Sequence, residues 1–329
     1  GLHTTQTAGL ALATDLAPEA DRPRVVSLLF VTLLLGMFVS ALLFGWLLAD
    51  FSQLQLIKVI QGAAVLTLGL NVAALWKQEP MQVTGPAVTR EARGPRPSFV
   101  NAWREFVAEA GARRLLVALA MGTTGFAMQD VLLEPFGGEI LGLTVSATTV
   151  LTAMLALGTL VAFAIAARWL TRGMDPHRVA GYGALAGIVA FGLVTLVTIL
   201  QSAFLFRLGA ALIGFGAGLF AVGTLTAAMS LASRSGSGLA LGAWGAVNAT
   251  ATGLGVACGG ALRDLFSGLA GTGALGPALT GPAAGYGFVY QLEVVLLFAT
   301  LIAIGPLARH SAREDEVARS GIGLADLPG

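Results

Sequence analysis

Charged side chains are scarce in this chain. Asp, Glu, Lys and Arg make up 11% of its 329 residues, and the formal net charge is +1. Soluble domains carry about 25% charged residues, and proteins that bind nucleic acids through their backbone charge are usually strongly basic. The composition therefore excludes an ordinary soluble domain and gives no electrostatic reason to expect a nucleic-acid partner.

Cysteine, histidine and common catalytic motifs are equally scarce. The chain has one Cys and three His, so neither a disulfide framework nor a cysteine metal cluster can form. The sequence contains neither a phosphate-binding loop ending in Gly-Lys-Ser/Thr nor a His-Glu-x-x-His helix. The Gly-rich stretch from Gly268 to Gly287 has no Lys and is predicted to be a loop. We therefore predict no catalytic residue, no enzymatic activity and no metal bound by the protein alone.

Apolar residues and glycine are abundant instead. Hydrophobic residues make up 56% of the chain and there are 44 Gly residues, a composition that suits closely packed membrane helices. A membrane-spanning helix needs about 20 mostly apolar residues. This criterion predicts nine spans: one that ends near Leu16, then Val25 to Leu48, Leu56 to Trp76, Leu115 to Leu133, Val145 to Ala167, Val179 to Leu200, Phe204 to Leu231, Leu239 to Leu262 and Gly287 to Leu307.

The basic residues predict the orientation of these spans. Lys and Arg concentrate in alternate connections, and such connections face the cytoplasm. The C-terminus is therefore predicted to be cytoplasmic, and the QDVLLEPFGGE loop to face the opposite side. Residues 77–114 form the one long polar connection, whose second half places Trp103 and Phe106 at helical spacing opposite charged residues. We predict a cytoplasmic linker there, with an amphipathic helix along the membrane surface.

A short internal repeat indicates how the spans are grouped. TQTAGLALAT, Thr5 to Thr14, aligns without gaps with TLTAAMSLAS, Thr224 to Ser233, and both copies lie at the cytoplasmic end of a predicted span. Each copy would then belong to the fourth helix of a six-helix half. The predicted fold is an all-α membrane protein of the major facilitator type, with two parallel six-helix halves. About three N-terminal helices, roughly 110 residues, are expected to be absent from the sequence.

The repeat also defines the expected domains. Residues 1–76 correspond to helices 4–6 of the first half, and residues 115–308 to helices 7–12 of the second half. Residues 77–114 are the linker between the halves, and residues 309–329 are predicted to be a cytoplasmic tail.

Acidic residues cluster at one predicted outer helix end. Asp130 and Glu134 are four residues apart, so both carboxylates can share a helix face. Pro135 is expected to end that helix, Gly137 and Gly138 to permit a tight reversal, and Glu139 to follow. Ionisable groups at membrane depth are candidates for function, while a solvated helix end remains the alternative.

Few other polar residues lie within the predicted spans. Glu293 and Arg207 are both near the outer side, where they could titrate or form an ion pair, or else extend to the membrane interface. His3 could ligate the magnesium of a chlorophyll-type ring or carry a proton; the alternative is a hydrogen-bonded packing residue beside Gln6. Asn248 is expected to form a hydrogen bond between helices.

Three stretches of the sequence resemble those of one known protein family. MQDVLLEPFGGEILGL with SATTVLTAMLALGTLVAF, and GLHTTQTAGLALATDLAP near the start, resemble the PucC/LhaA family of phototrophic bacteria, a branch of the major facilitator superfamily. The Gln-Asp-x-x-Leu-Glu-Pro-x-Gly-Gly-Glu stretch is the most specific part of the resemblance. The resemblance implies further spans before the start of this sequence, in agreement with the expectation from the repeat.

The resemblance implies a role in assembling light-harvesting complexes of the LH1 or LH2 type. It implies bacteriochlorophyll as the bound or delivered pigment, with carotenoid as a further candidate. Expected partners are the single-span antenna α and β polypeptides, the reaction centre–LH1 complex, pigment-biosynthesis enzymes and the lipid bilayer, in a bacterial inner or intracytoplasmic photosynthetic membrane. The candidate pigment- or partner-binding residues are His3, Gln6, Gln129, Asp130, Glu134, Pro135, Gly137, Gly138, Glu139 and Asn248.

Two other functions remain open at this stage. The chain could be a proton-coupled secondary transporter of an amphipathic solute, with Asp130, Glu134 or Glu293 titrating. It could also be a structural partner of antenna complexes that binds no pigment.

Overall fold

The structure, a computed structural model, describes residues 22–49, 52–75, 99–235, 239–277, 279 and 281–320. All regular secondary structure in these ranges is helical. The elements are α1 (Arg22–Leu47), α2 (Gln53–Leu75), α3 (Phe99–Ala108), α4 (Ala110–Ala127), a 3₁₀ turn η1 (Met128–Val131), α5 (Leu133–Leu141), α6 (Val145–Thr171), α7 (Pro176–Leu200), α8 (Ala203–Ser235), α9 (Leu239–Gly271) and α10 (Ala283–Ser320).

The chain is a multi-pass membrane protein. Five of the described helices are long and apolar enough to cross a bilayer, and the bent unit of α4, η1 and α5 adds a sixth if it counts as one span. These helices match predicted spans, whereas the one predicted to end near Leu16 lies outside the described residues. Helix α9 is not among the five, although it packs along α4 and α10. Asn248, Thr250 and Thr252 lower its hydropathy.

Local sequence explains where several helices begin and end. The Thr144 side chain caps α6 by accepting a hydrogen bond from the Ala147 N–H at 3.3 Å, and Asp175 caps α7 by accepting one from the His177 N–H at 2.7 Å. Pro176 follows Asp175 at the first helical position, where a missing N–H costs nothing. Gly142 ends α5 with a φ of 62°, a left-handed conformation that suits glycine.

Helices α6, α7 and α8 form the most closely packed group. Their glycines let backbones touch: a Cβ at Gly158 of α6 would overlap the carbonyl oxygen of Ala211 on α8, and one at Gly214 would overlap that of Leu155 on α6. Gly183 of α7 and Gly216 of α8 meet in the same way. Helix α1 joins this group through Ser146, whose hydroxyl donates to the Gly45 carbonyl at 2.6 Å.

Aromatic side chains fill the half of the bundle that contains α5. Phe136 of α5 packs edge-on against Tyr286 and Tyr290 of α10 and tilts against Phe206 of α8, with ring centroids 5.3–5.6 Å apart. All four rings are fully buried. Aromatic pairs of this geometry add to the free energy gained from burial, so this cluster anchors α5 inside the bundle.

The predicted Gly-rich loop was too long. Helix α9 continues to Gly271 and α10 begins at Ala283, so part of the stretch predicted as a Gly-rich loop is helical. Helix α10 also runs through Pro306 to Ser320, into the segment predicted as a tail. The amphipathic helix is confirmed as α3, but Phe106 on its apolar face is buried against Ala112 and Ala240 of α4 and α9, because packing on protein buries that face more fully than a membrane surface does.

Candidate functional site

The candidate site is built around a break in a membrane helix. Helix α4 passes into the 3₁₀ turn η1, and α5 leaves at an angle of 45°. The prediction that Pro135 ends the helix was wrong, since α5 begins two residues earlier and contains Pro135, Gly137 and Gly138. Proline is tolerated there because the first-turn N–H groups have no intrahelical acceptor. The reversal occurs later, at Gly142.

A cavity of about 280 Å³ opens beside this break. It lies between α1, η1, α5 and α6, and its polar lining contains both acids of the predicted cluster. Asp130 and Glu134 therefore line one cavity, although the break places them on η1 and α5 rather than on one continuous helix. The lining residues are Met37, Gln129, Asp130, Leu133, Glu134, Leu151, Thr152, Leu155, Ala156 and Thr159.

Hydrogen bonds fix the polar lining of the cavity. The Thr152 hydroxyl donates to Glu134 Oε1 at 2.8 Å, and Gln129 Nε2 donates to Asp130 Oδ1 at 2.5 Å. Gln129 is only 2% exposed, and its Oε1 has no hydrogen-bond partner among the described residues. A buried acceptor without a donor is costly, so Gln129 is an unusual residue for a purely structural wall.

Glu293 of α10 lies behind this lining. It is fully buried, and neither carboxylate oxygen has a hydrogen-bond partner in the described part of the chain. Its polar neighbours include Asp130, Tyr290 and the backbone of Gln129. The possible ion pair with Arg207 is not formed, because Arg207 is exposed at the start of α8. The sequence could not show this, since the relative rotation of α8 and α10 decides which side chains meet.

Glu139 belongs to a second cluster, where α5, the C-terminal part of α9 and the start of α10 meet. Arg263 of α9 donates to Glu139 Oε2 at 2.5 Å and to the Tyr286 hydroxyl at 2.7 Å, and Tyr286 also donates to Glu139 at 2.9 Å. The guanidinium carbon lies 4.6 Å from the centre of the Tyr286 ring. This cluster ties the short helix α5 to two long helices, which is a positioning role.

The remaining predicted residues lie elsewhere. Asn248 of α9 accepts a hydrogen bond from the Thr123 hydroxyl of α4 at 3.1 Å, which confirms the predicted bond between helices. Pro135 and Gly138 are exposed on α5, whereas Gly137 is buried against Phe206. His3 and Gln6 lie outside the described residues.

The cavity offers acceptors to a ligand. Two carboxylates, one amide and two hydroxyl groups line it, and no Lys, Arg or His does. Within the described ranges, no group of three Asp, Glu, His or Cys side chains is placed to hold a metal ion. The arrangement can therefore bind a group that carries positive charge or donates hydrogen bonds.

Sequence reasoning missed several residues of both clusters. Thr152 and Thr159 appeared as ordinary polar residues of an apolar span, although Thr152 precedes Thr159 by seven residues, a spacing that places both on one helix face. Arg263 and Tyr286 were not among the predicted site residues. A weak signal for Arg263 was available, because an Arg directly after a predicted span can pair with an acid at the same end of the bundle.

The sequences of two relatives align with most of this chain. Protein PucC of Rhodovulum sulfidophilum is 56% identical over 264 residues, which is 80% of this chain and 58% of that protein. A Rhodobacter capsulatus protein, described as an uncharacterized protein in the puhA-bchM intergenic region, is 52% identical over 331 residues, covering 100% of this chain and 69% of that protein. The chain thus spans between about three-fifths and two-thirds of the length of these two relatives.

A solved structure confirms the predicted major facilitator fold. It is a bacterial homolog of the human lysosomal transporter Spinster, in an inward-facing and unoccupied conformation, with a TM-score of 0.58 at 19% identity. The match covers 92% of this chain and 74% of that one. At such low identity the likeness concerns the fold alone. The family profile described as PUCC protein matches residues 1–312, so this chain belongs to the PUCC protein family.

Proposed function

We propose that this protein is a non-enzymatic membrane assembly factor for photosynthetic light-harvesting complexes of the LH1 or LH2 type, and that it binds bacteriochlorophyll or delivers it to antenna polypeptides. Membership of the PUCC protein family over residues 1–312 is the observation that carries the proposal. The proposed location is the bacterial inner or intracytoplasmic photosynthetic membrane, with the C-terminus in the cytoplasm.

The described cavity does not fit a whole pigment. Its volume of about 280 Å³ lies below the range of about 300–1,000 Å³ typical of small-molecule sites, and its lining provides carboxylate and amide oxygens rather than an imidazole. We therefore assign the pigment to lipid-facing surface or to residues outside the described ranges, among which His3 is the candidate magnesium ligand. Bound pigment would supply light absorption, while the protein would hold and orient it. A carotenoid could share that surface.

Helix α9 offers a surface that suits antenna polypeptides. Small residues on its exposed side are spaced at helical intervals: Gly242, Ala246, Gly253, Ala257 and Ala261. A Cβ at Gly242 or Gly253 would meet no other atom within 4 Å. Small side chains let a second membrane helix approach closely, so this face supports contact with a single-span α or β polypeptide. The reaction centre–LH1 complex and pigment-biosynthesis enzymes are further proposed partners.

The test is purification from a pigmented phototrophic strain, followed by an absorption spectrum and identification of the copurified subunits. We expect bacteriochlorophyll absorption together with antenna polypeptides. Ala257→Leu should reduce the recovered antenna polypeptides several-fold, whereas Ala64→Leu, at an exposed position of helix α2, should not. A preparation with neither pigment nor antenna subunits would contradict the proposal. Subunits that persist after pigment depletion would favour a structural partner that needs no pigment.

The buried carboxylate Glu293 favours a second candidate function. An ionised carboxylate buried without a partner is costly, and membrane-embedded acids commonly carry protons in transporters. A proton-coupled transporter of an amphipathic solute would use Glu293 with Asp130 or Glu134. Proton-dependent uptake into liposomes that is abolished by Glu134→Gln or Asp130→Asn would support it, and uptake that is insensitive to both substitutions would exclude it.

A further inference from the structure

The inward face of α10 carries a carboxylic acid. Tyr286, Tyr290 and Leu297 share that face with Glu293 at spacings of three or four residues, and all four side chains are fully buried. Because α10 begins at Ala283, Glu293 lies nearly three turns inside the helix, about 15 Å from its first residue. Its carboxyl group therefore does not extend to the membrane interface, as a long side chain near a helix end can.

The surroundings of this carboxyl group do not suit a negative charge. Neither of its oxygens has a hydrogen-bond partner among the described residues. The groups that act on it are Asp130 of η1 and the backbone of Gln129, and neither is positively charged. An acid buried without a partner binds a proton more readily than it keeps its charge, and a second acid nearby adds to this tendency. Since Asp130 is exposed and Glu293 is not, the proton belongs on Glu293.

No basic side chain in the described ranges neutralises Glu293. The elements packed against α10 are α4, η1, α5, α7 and α9, and Asp130 is the titratable residue of these elements that acts on the Glu293 carboxyl group. Tyr290, on α10 itself, is a further polar neighbour. The remaining titratable residues of the five elements are exposed, lie in the first turn of a helix, or belong to the Glu139–Arg263–Tyr286 cluster: Arg113, Arg114, Glu134, Glu139, His177, Arg178, Tyr182, Cys258, Arg263 and Asp264.

The side chain of Gln129 supplies an acceptor for such a proton. Its Nε2 donates to Asp130 Oδ1 at 2.5 Å and to the Phe126 carbonyl at 3.4 Å. Because both partners are acceptors, the amide nitrogen must lie on their side, and Oε1 points away from them. This oxygen is buried and has no donor in the described part of the chain. Two acceptors cannot bond to each other, but a protonated carboxyl group has an O–H to donate.

We propose that Glu293 is a proton-binding site, which holds a proton at neutral pH and donates it in a hydrogen bond to Gln129 Oε1. The bound proton joins α10 to η1, the point at which the membrane helix breaks. It also gives two buried polar groups a partner through one bond, where each would otherwise be costly. The site needs neither pigment nor a transported solute, so the proposal is independent of both functions proposed above.

The test is infrared spectroscopy of the purified full chain in detergent at neutral pH. A protonated carboxyl group has a C=O stretching band separate from the carboxylate bands, whereas an exposed glutamic acid is ionised above a pH of about 4.3. We expect a protonated-acid band that disappears in Glu293→Gln and remains in Asp264→Asn, the matched control at an acid that is 72% exposed. Gln129→Leu, a substitution of similar size, should shift the frequency of the band, because the hydrogen bond to Oε1 is lost.

The stability of the variants gives a second measurement. Glutamine resembles the neutral acid and can itself donate to Gln129 Oε1, so Glu293→Gln should melt within a few degrees of the unsubstituted protein. If Glu293→Gln folds poorly, the band of the unsubstituted protein and its shift in Gln129→Leu still decide the question. The proposal is overturned if no protonated-acid band is present at neutral pH, if the band is lost in Asp130→Asn but kept in Glu293→Gln, or if Gln129→Leu leaves its frequency unchanged.

Discussion

At the scale of single residues, glycine decides how closely the helices approach. Gly214 of α8 lies against the Leu155 carbonyl of α6, and the Thr159 hydroxyl donates to the Gly214 carbonyl at 2.9 Å. We expect Gly214→Ala to lower the free energy of unfolding by about 1–3 kcal/mol, because the added methyl group forces the two backbones apart. Melting temperature in detergent measures the effect.

Gly192 of α7 is the matched control for this substitution. A Cβ there would meet no other atom within 4 Å, so Gly192→Ala should leave the melting temperature unchanged or raise it slightly, since alanine is the better helix former. Equal losses at both positions would show that helix contact is not the cause.

The contacts of single residues in different helices could not be predicted from the sequence. The spacing of Asp130 and Glu134 was enough to predict that the two side chains lie on the same side of the chain, because only four residues separate them, although the helix break between them was not predicted. The partners of Glu293, Arg263 and Gln129 depend on how separate helices are rotated against each other. No periodicity within one segment contains that information, so the absent Glu293–Arg207 pair could not be foreseen.

At the scale of elements, the short helix α5 is held by the Glu139–Arg263–Tyr286 cluster. We expect Glu139→Gln and Arg263→Gln each to lower stability, and a double-mutant cycle to give a coupling of about 0.5–1 kcal/mol. The value is modest because 48% of the Glu139 side chain and 24% of the Arg263 side chain remain exposed. Asp264→Asn should have a smaller effect, since that side chain is 72% exposed. Strictly additive losses from the two substitutions would argue against a direct interaction.

Elements were predicted well where length and hydropathy sufficed. Helices α2, α6, α7 and α8 coincide with predicted spans because each is a long apolar run with clear ends. The break at η1 was missed because Pro135 and the two following glycines are typical of the end of a helix. In the structure, Phe136 is buried among Tyr286, Tyr290 and Phe206, and this packing favours a helix that continues as α5. Tertiary packing thus overrode local preference.

At the scale of the whole molecule, the proposed orientation can be tested with two exposed threonines at opposite ends of the bundle. Thr171 ends α6 and Thr272 follows α9. In a Cys258→Ser background, Thr272→Cys should react with a membrane-impermeant maleimide in intact spheroplasts, and Thr171→Cys only after lysis, because Arg168, Arg172 and Arg178 mark the cytoplasmic side. The reverse labelling pattern would invert the proposed orientation.

The close contacts among α6, α7 and α8 determine where this molecule can bend. The helix backbones touch at Gly158, Gly183, Gly214 and Gly216. Because these helices must separate before they can slide past one another, α6, α7 and α8 form the stiffer side of the cavity. The broken unit of α4, η1 and α5 stands opposite α6 across the cavity, and its 45° bend makes it the more deformable side. The cavity therefore lies between a closely packed group of helices and a bent one, which is where the two would move relative to each other.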